Sequence, residues 1–245
     1  MKKYFNVKLE FDKQVVDQII DDTINNGGKG YVCSVERTVM SMANIDSFYN
    51  QVVNSALVNI CDGNFVAQTI SLAHGKKYCV YIGADLFLNY IKKIKYKQYF
   101  LGNTPEILEG LKKNLSKLDP GISEMPFVSL PFKPVKDFDY LSIAKDINSN
   151  SPDIIWVSLG APKQEEFMYY LEPYINKGVM FGFGAIFNFY SGLHGQKRAP
   201  KIFLKFQLEW LYRLFQDPSK NLKKNWMYLK MVPHLISEEK KLLKK

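Results

Sequence analysis

Short runs of β-branched and aromatic residues alternate with segments of helical periodicity over the first 190 positions of this 245-residue chain. The runs that predict strands are 31–35, 56–60, 78–83, 97–102 and 153–160. Apolar residues recur at helical spacing in 12–25, 36–54, 64–74, 85–94, 104–117, 139–149 and 163–176. This alternation is typical of βαβ units. It predicts an α/β fold with a mainly parallel, Rossmann-like sheet and helices on both faces.

Beyond residue 195 the strand-like runs stop, and three helical segments follow. Their boundaries are marked by Pro200, Asp217–Pro218 and Pro233, since proline interrupts a helix. We therefore expect an α/β core over 1–195 and a C-terminal helical appendage over 196–245.

The net charge of +9 is confined to the appendage. Residues 1–192 carry 20 basic and 20 acidic side chains, whereas 193–245 carry 13 basic and 4 acidic ones. A neutral body with a basic end indicates an acidic partner, which could be nucleic acid, an anionic membrane or a phosphorylated substrate.

Composition excludes several classes of protein. The chain is 47% apolar, but no apolar run reaches the length of a membrane span, and the basic start lacks the apolar stretch of a secretory signal. Three separated cysteines in apolar runs indicate buried thiols in a reducing compartment. We expect a cytoplasmic protein.

Polar residues and glycines follow five strand-like runs, where ligands of parallel sheets bind. The candidate ligand-binding residues at these positions are Gly63, Asp85, Gly102, Asn103, Gly160, Pro162, Lys163, Gln164, Glu165, Gly182 and Gly184. One such signal is ordinary turn chemistry, but five in one sheet predict a single shared crevice.

Helix starts that open from glycine-containing loops suit phosphate or diphosphate groups. Asp62 is equally consistent with a general base and with a helix cap. Gln164 and Glu165 could bind sugar hydroxyls or serve as first-turn residues of a helix. The sequence has no Walker A motif, no Asp-x-Asp pair and no His/Cys cluster. We therefore expect neither a metal nor a cofactor.

Four ordered blocks, "SLGAPKQEEF", "GFGAIFNFYSG", "RAPKIF" and "LEWLYRLFQDP", resemble the WecG/TagA/CpsF family of bacterial glycosyltransferases. The likeness spans roughly residues 30 to 225 and includes the upstream blocks "ALVNICDG", "GADLF" and "YFLGNTPEILEGLKKNL". It implies an inverting, metal-independent transfer of an N-acetylhexosamine, typically N-acetylmannosamine, from a UDP-sugar. The implied acceptor is a polyprenyl-diphosphate-linked sugar at the inner face of the cell membrane, in cell-surface polysaccharide or teichoic acid synthesis.

The same resemblance implies roles for individual residues. Asp62 matches the proposed catalytic base, and 160–165 match the block at the sugar-nucleotide pocket, where we expect Gln164 to be free to contact the donor. Arg213 matches a candidate diphosphate contact from the appendage. Three positions depart from the usual pattern and bear on donor identity, namely Val35, Val80 and Asn188.

The basic segment 219–232 places Leu222, Trp226, Leu229 and Val232 near one helical face. Such a helix can lie on an anionic membrane, with Lys220, Lys223, Lys224 and Trp226 as the expected membrane and acceptor contacts. The alternative is that this face packs on the protein's own body, which is the commoner fate of an amphipathic helix. The alternative function is nucleic-acid binding by lysines interleaved with aromatic residues. We expect an enzyme without a nucleic-acid partner, and a homo-oligomer is possible.

Overall fold

The computed structural model describes residues 1–193 and 218–244, with side chains in the second range from residue 226 onward. A short antiparallel hairpin, β1 (Lys2–Tyr4) and β2 (Val7–Leu9), comes first. The strands of the main sheet are β3 (Lys29–Val35), β4 (Val58–Cys61), β5 (Gln98–Gly102), β6 (Phe127–Val128), β7 (Ile154–Ser158) and β8 (Gly178–Gly182). They pair in parallel in the order β4-β3-β8-β7-β5-β6.

Helices cover both faces of this sheet. On one face lie α1 (Lys13–Asn25), α5 (Gly83–Lys92), α6 (Pro105–Leu115) and α9 (Gly184–Ser191). On the other lie α2 (Arg37–Ile45), α3 (Ser47–Asn54), α4 (Asn64–His74), α7 (Tyr140–Asn150), α8 (Lys163–Leu171) and α10 (Pro218–Leu242). The predicted α/β fold with a parallel sheet and a C-terminal helix is confirmed.

The two faces have separate apolar cores because successive side chains of a strand point to opposite sides. In β7, Ile154 and Trp156 face one core, while Ile155 and Val157 face the other, and all four are fully buried. A strand buried on both faces reads as a continuous apolar run, which is why β7 was recognisable in the sequence.

The prediction of a strand at 78–83 is wrong. Residues 77–82 form no β-ladder, although the Tyr81 N–H donates to the Cys61 carbonyl at 3.1 Å. Tyr78 instead packs against Phe11 and Tyr4 of the N-terminal segment, with ring centroids 4.5 and 5.3 Å apart. The apolar character of this stretch therefore reflects aromatic packing rather than strand pairing.

Two further differences concern short elements. The segment 36–54 is two helices, because the Asp46 side chain accepts from the Tyr49 N–H and so caps a new helix. Strands β1, β2 and β6 contain only two or three residues each. Such short strands carry too little periodicity to be read from sequence.

The C-terminal helix α10 runs through Pro233 without a break, where the sequence predicted two helices. Its buried residues anchor it on both sides of the proline. Tyr228 shares a 2.6 Å hydrogen bond with Thr69 of α4. Glu239 accepts from the backbone N–H of Phe5 at 3.0 Å and lies 2.9 Å from Nε2 of His74. We attribute the tolerance of proline, which costs about 3 kcal/mol inside a helix, to these contacts.

A carboxylic acid, Glu165 of α8, is fully buried beneath the sheet end. Its two oxygens accept from the Gln164 amide at 2.9 Å and the Tyr49 hydroxyl at 3.0 Å. Burial raises the pKa of Glu165 to about 7, although both hydrogen bonds act to lower it, and the nearby Glu36 carboxylate contributes to the rise. The folded protein therefore favours the protonated form of this group.

This burial predicts a pH-dependent gain in stability for Glu165→Gln. Because the folded-state pKa lies above the unfolded one, the group destabilises the protein increasingly as pH rises from about 4.3 to 7. At pH 8 we expect the substitution to raise the free energy of unfolding by up to about 3 kcal/mol, with no difference at pH 4. A glutamine keeps both partners, since its amide can donate to the Tyr49 oxygen.

Urea unfolding monitored from pH 4 to 8 measures this difference. Glu109→Gln, at an exposed position of α6, is the matched control, and we expect it to track the unaltered protein at every pH. Parallel stability curves for Glu165→Gln and the unaltered protein would show that the buried group does not titrate.

Candidate functional site

A cavity of about 1020 Å³ lies at the carboxyl ends of the parallel strands. Its wall is built from the residues that follow β3, β4, β5, β7 and β8 and from the loop after β6. The lining residues that carry polar groups or glycine backbone are Ser34, Glu36, Arg37, Asp62, Asn103, Thr104, Ser129, Ser158, Gly160, Lys163, Gln164, Gly182, Gly184 and Asn188. The shared crevice predicted from sequence is therefore present.

Asp62 stands at one end of the cavity, directly after β4. Its N–H donates to the Val35 carbonyl at 3.1 Å, which extends the pairing of β4 with β3 by one bond. The Ser34 hydroxyl donates to Asp62 Oδ2 at 2.5 Å. Helix α4 begins after Gly63 and has no side-chain cap. The N-cap residue of α4 is thus Gly63 rather than Asp62, and the role of Asp62 as a base stays a prediction.

Glu36 and Arg37 lie next to Asp62 and follow β3. Glu36 accepts from the Thr38 N–H at 2.9 Å and so caps α2. The Arg37 guanidinium carbon lies 6.0 Å from the centroid of the Phe65 ring on α4. This end of the cavity thus combines two carboxylates with an arginine.

The middle of the cavity, at the ends of β7 and β8, is organised by the Gln164 amide. Its Oε1 accepts the backbone N–H groups of Gly160 at 3.1 Å and of Gly184 at 3.0 Å. Its Nε2 donates to the Gly182 carbonyl at 2.6 Å and to Glu165. The expectation that Gln164 is free for the donor is not met, because all four of its hydrogen bonds go to the protein.

Two glycines of this region have structural reasons: close packing at Gly184 and a left-handed backbone conformation at Gly160. A Cβ at Gly184 would lie 2.7 Å from the Gly160 nitrogen and 2.8 Å from Gln164 Oε1. Gly160 itself has a φ of +76°, in the left-handed region that glycine accepts at no steric penalty. The strand ends can therefore be drawn together only with glycine at these positions.

A chain of side-chain contacts continues toward β5. Asn103 donates to the Ser158 hydroxyl at 3.0 Å and to Asn188 Oδ1 at 3.1 Å. Ser158 donates in turn to the Gly184 carbonyl at 3.0 Å. Asn188, one of the three departures from the family pattern, thus faces the cavity, whereas Val35 and Val80 do not line it.

Lys163 and Phe132 form the far rim. Phe132 follows β6 and is fully exposed, and Lys163 Nζ lies 4.8 Å from its ring centroid. The same ammonium lies 5.4 Å from the ring of Phe138. A cation held by two aromatic rings beside the amino ends of α8 and α9 makes this rim suitable for an anionic, partly aromatic ligand.

Seven of the predicted ligand-binding and catalytic positions line the cavity, namely Asp62, Asn103, Gly160, Lys163, Gln164, Gly182 and Gly184. Five do not, namely Gly63, Asp85, Gly102, Pro162 and Glu165. Gly63 precedes α4 as its cap residue, and a Cβ at Gly102 would lie 2.6 Å from the Ser158 carbonyl oxygen, so these two shape the backbone. Asp85 and Pro162 belong to the helix starts beside the cavity.

Sequence reasoning missed Ser34, Glu36, Arg37 and Phe132. The first three follow or end a predicted strand, and that position was itself a usable signal. Phe132 lies after the two-residue strand β6, which the sequence did not reveal.

Arg213 lies outside the described residues, as do the side chains of Lys220, Lys223 and Lys224.

The exposed side of α10 carries Trp226 and Leu229, which keep 62% and 46% of their surface accessible. Lys230 Nζ lies 5.2 Å from the Trp226 ring. Tyr228 and Leu235 pack on the body instead. One side of the helix therefore packs on the body while Trp226 and Leu229 stay exposed, and their contact with a membrane stays a prediction. No helix in the part of the chain that the structure describes is long and apolar enough to cross a membrane.

Within residues 1–193 and 218–244, no group of three or more His, Cys, Asp or Glu side chains is placed to hold a metal ion. The two carboxylates of the cavity are the only ones that line it in this part of the chain.

The family model described as the WecG/TagA/CpsF family of glycosyl transferases matches residues 4–244. Three similar proteins carry the name N-acetylglucosaminyldiphosphoundecaprenol N-acetyl-beta-D-mannosaminyltransferase. That of Bacillus spizizenii strain W23 is 28% identical over 77% of this chain and 70% of its own length. That of Bacillus subtilis strain 168 is 28% identical over 84% and 76%, and that of Staphylococcus aureus strain MW2 is 27% identical over 76% and 72%.

Sequence left an enzyme and a nucleic-acid-binding protein as alternatives, and this match favours the enzyme. The chain belongs to the WecG/TagA/CpsF family of glycosyl transferases.

Proposed function

We propose that the protein transfers an N-acetylhexosamine, N-acetylmannosamine by analogy with its relatives, from a UDP-sugar to a polyprenyl-diphosphate-linked N-acetylglucosamine. The observation that carries this proposal is the cavity, which has a carboxylate after the edge strand β4 and two glycine-opened helix starts after the central strands β7 and β8. The relatives' names supply the sugar and the acceptor. The reaction belongs to the synthesis of a cell-surface polysaccharide or teichoic acid.

The donor occupies the part of the cavity between Phe132 and Gln164. The amino ends of α8 and α9 present the positive end of the helix dipole, which favours a diphosphate. Lys163 adds a full positive charge at the same rim. The exposed Phe132 ring offers an apolar face on which a nucleobase can stack.

The acceptor hydroxyl meets Asp62 at the other end. Asp62 takes the hydroxyl proton as the acceptor oxygen forms its bond to the anomeric carbon. The bond from that carbon to the diphosphate oxygen breaks, and UDP leaves with the electron pair. Attack from the face opposite the leaving group inverts the anomeric configuration. We propose that no metal takes part, since helix starts and cations can offset the charge of the leaving UDP.

The appendage brings the enzyme to its lipid acceptor. Trp226, Leu229 and Lys230 form an exposed apolar and basic patch on α10, which suits the headgroup region of an anionic membrane. We propose that Lys220, Lys223 and Lys224 extend this patch and that Arg213 contacts the diphosphate. Activity at the inner face of the membrane and assembly into a homo-oligomer stay predictions.

Asp62→Asn is expected to slow turnover at least about 100-fold, because an amide cannot accept the proton. Binding of UDP, measured by isothermal titration calorimetry, should change by less than about threefold, because the proposed donor contacts lie at the other end of the cavity. Coupled detection of released UDP measures the turnover.

The matched control is Asp119→Asn, a buried aspartate that caps a short turn far from the cavity. It is expected to keep full turnover at a temperature where it is folded. Normal turnover of Asp62→Asn would remove Asp62 from the role of base.

The double variant Trp226→Ala/Leu229→Ala should bind anionic vesicles at least about tenfold more weakly, because it removes apolar surface that enters the headgroup region. Sedimentation with phosphatidylglycerol vesicles measures the affinity. Binding of the unaltered protein should also weaken as salt rises.

Point substitutions are preferable to deletion of α10, because this helix buries Tyr228 and Leu235 in the core and its removal would expose that core. Tyr174→Ala provides the control, since Tyr174 is 46% exposed but precedes β8 at the amino-end edge of the sheet. Unchanged vesicle binding of the double variant would show that this patch does not face the membrane.

A further inference from the structure

The side chain of Ser34 contacts the proposed base, Asp62. Ser34 is the penultimate residue of β3, and its hydroxyl donates to Asp62 Oδ2 at 2.5 Å. That distance lies at the short end of the range for a hydroxyl bonded to a carboxylate. Both residues line the cavity, so the bond lies at its wall rather than in the core.

A second contact restrains the same oxygen. A Cβ at Gly83, the first residue of α5, would lie 2.9 Å from Asp62 Oδ2 and 3.5 Å from the Ser34 hydroxyl oxygen. Glycine at this position therefore lets the start of α5 approach the carboxylate. The positive end of the helix dipole favours a negative charge placed there.

The backbone of Asp62 is fixed as well, by the hydrogen bond from its N–H to the Val35 carbonyl. With the main chain held by β3 and Oδ2 held by Ser34, rotation of the carboxyl group about its side-chain torsions is restrained. A base fixed in one orientation needs no rearrangement when the acceptor arrives.

We propose that Ser34 is a positioning residue for Asp62: its hydroxyl holds Oδ2 beside the start of α5, so that the carboxylate is oriented to take the proton of the acceptor hydroxyl. This inference rests on the proposed function, because it takes Asp62 to be the base. Ser34 itself forms no bond to the reacting atoms, and the hydroxyl keeps its own proton throughout the step.

The test compares Ser34→Ala, Ser34→Thr and Ser41→Ala in the full-length protein. We expect Ser34→Ala to lower kcat about 10- to 100-fold, the loss of one hydrogen bond to a charged group. Ser34→Thr restores the hydroxyl and should stay within about threefold of the unaltered enzyme. Ser41 of α2 is buried, and its hydroxyl has no hydrogen-bond partner in the described part of the chain, so Ser41→Ala should leave kcat unchanged.

UDP affinity by calorimetry separates positioning from donor binding, and it should change by less than about threefold in Ser34→Ala. A kcat that is unchanged in Ser34→Ala, or a loss of UDP affinity as large as the loss of kcat, would overturn the inference. Failure of Ser34→Thr to restore kcat in a folded protein would do the same.

A double-variant cycle distinguishes this inference from the proposed function. In the Asp62→Asn background, Ser34→Ala should cause no further loss, because the base that it positions is gone. A full additional loss there would show that Ser34 acts independently of Asp62. Slow Asp62→Asn with normal Ser34→Ala would overturn only the positioning role, whereas normal turnover of Asp62→Asn would overturn both proposals.

Discussion

The Gln164 amide ties the carboxyl ends of β7 and β8 together, and the shape of the cavity depends on that tie. One oxygen accepts the N–H groups of Gly160 and Gly184, and one nitrogen donates to Gly182 and to the buried Glu165. Parallel strands bring their ends to one edge of a sheet but leave the loops beyond them unspecified. This side chain specifies them, because it fixes the starts of α8 and α9 relative to each other. Its role is thus structural support for the proposed donor site.

The cavity has different chemistry at its two ends, and this difference gives the proposed reaction its direction. Asp62 and Glu36 provide carboxylates beside β3 and β4, where a hydroxyl can lose a proton. Lys163 and two helix starts provide positive potential at the other end, where a diphosphate can leave. A sugar between the two ends would have the incoming oxygen and the outgoing oxygen on opposite sides. On this basis we propose a single displacement with inversion.

Sequence predicted the parallel sheet and part of the cavity wall because each depends on local signals: apolar runs, helix starts, and glycine or aspartate after a strand. Predictions from the sequence failed where contacts between distant parts of the chain determine the local structure. The run 78–83 forms no strand, because its apolar character serves aromatic packing. Helix α10 continues through Pro233, because Glu239 and Tyr228 anchor it on both sides. The hydrogen bonds of the Gln164 side chain could not be predicted either, since two of its partners lie 18 and 20 residues away, at the end of β8 and the start of α9.

The central claim is transfer from a UDP-sugar to a lipid-diphosphate acceptor without a metal. Its most direct test incubates the purified full-length protein with UDP-N-acetylmannosamine and a synthetic lipid-diphosphate-linked N-acetylglucosamine in excess EDTA. We expect UDP release that requires the acceptor and a disaccharide product whose new linkage, read by NMR, has the anomeric configuration opposite to that of the donor. Release of UDP only after a divalent metal is added, or a product that retains the donor's configuration, would contradict the account.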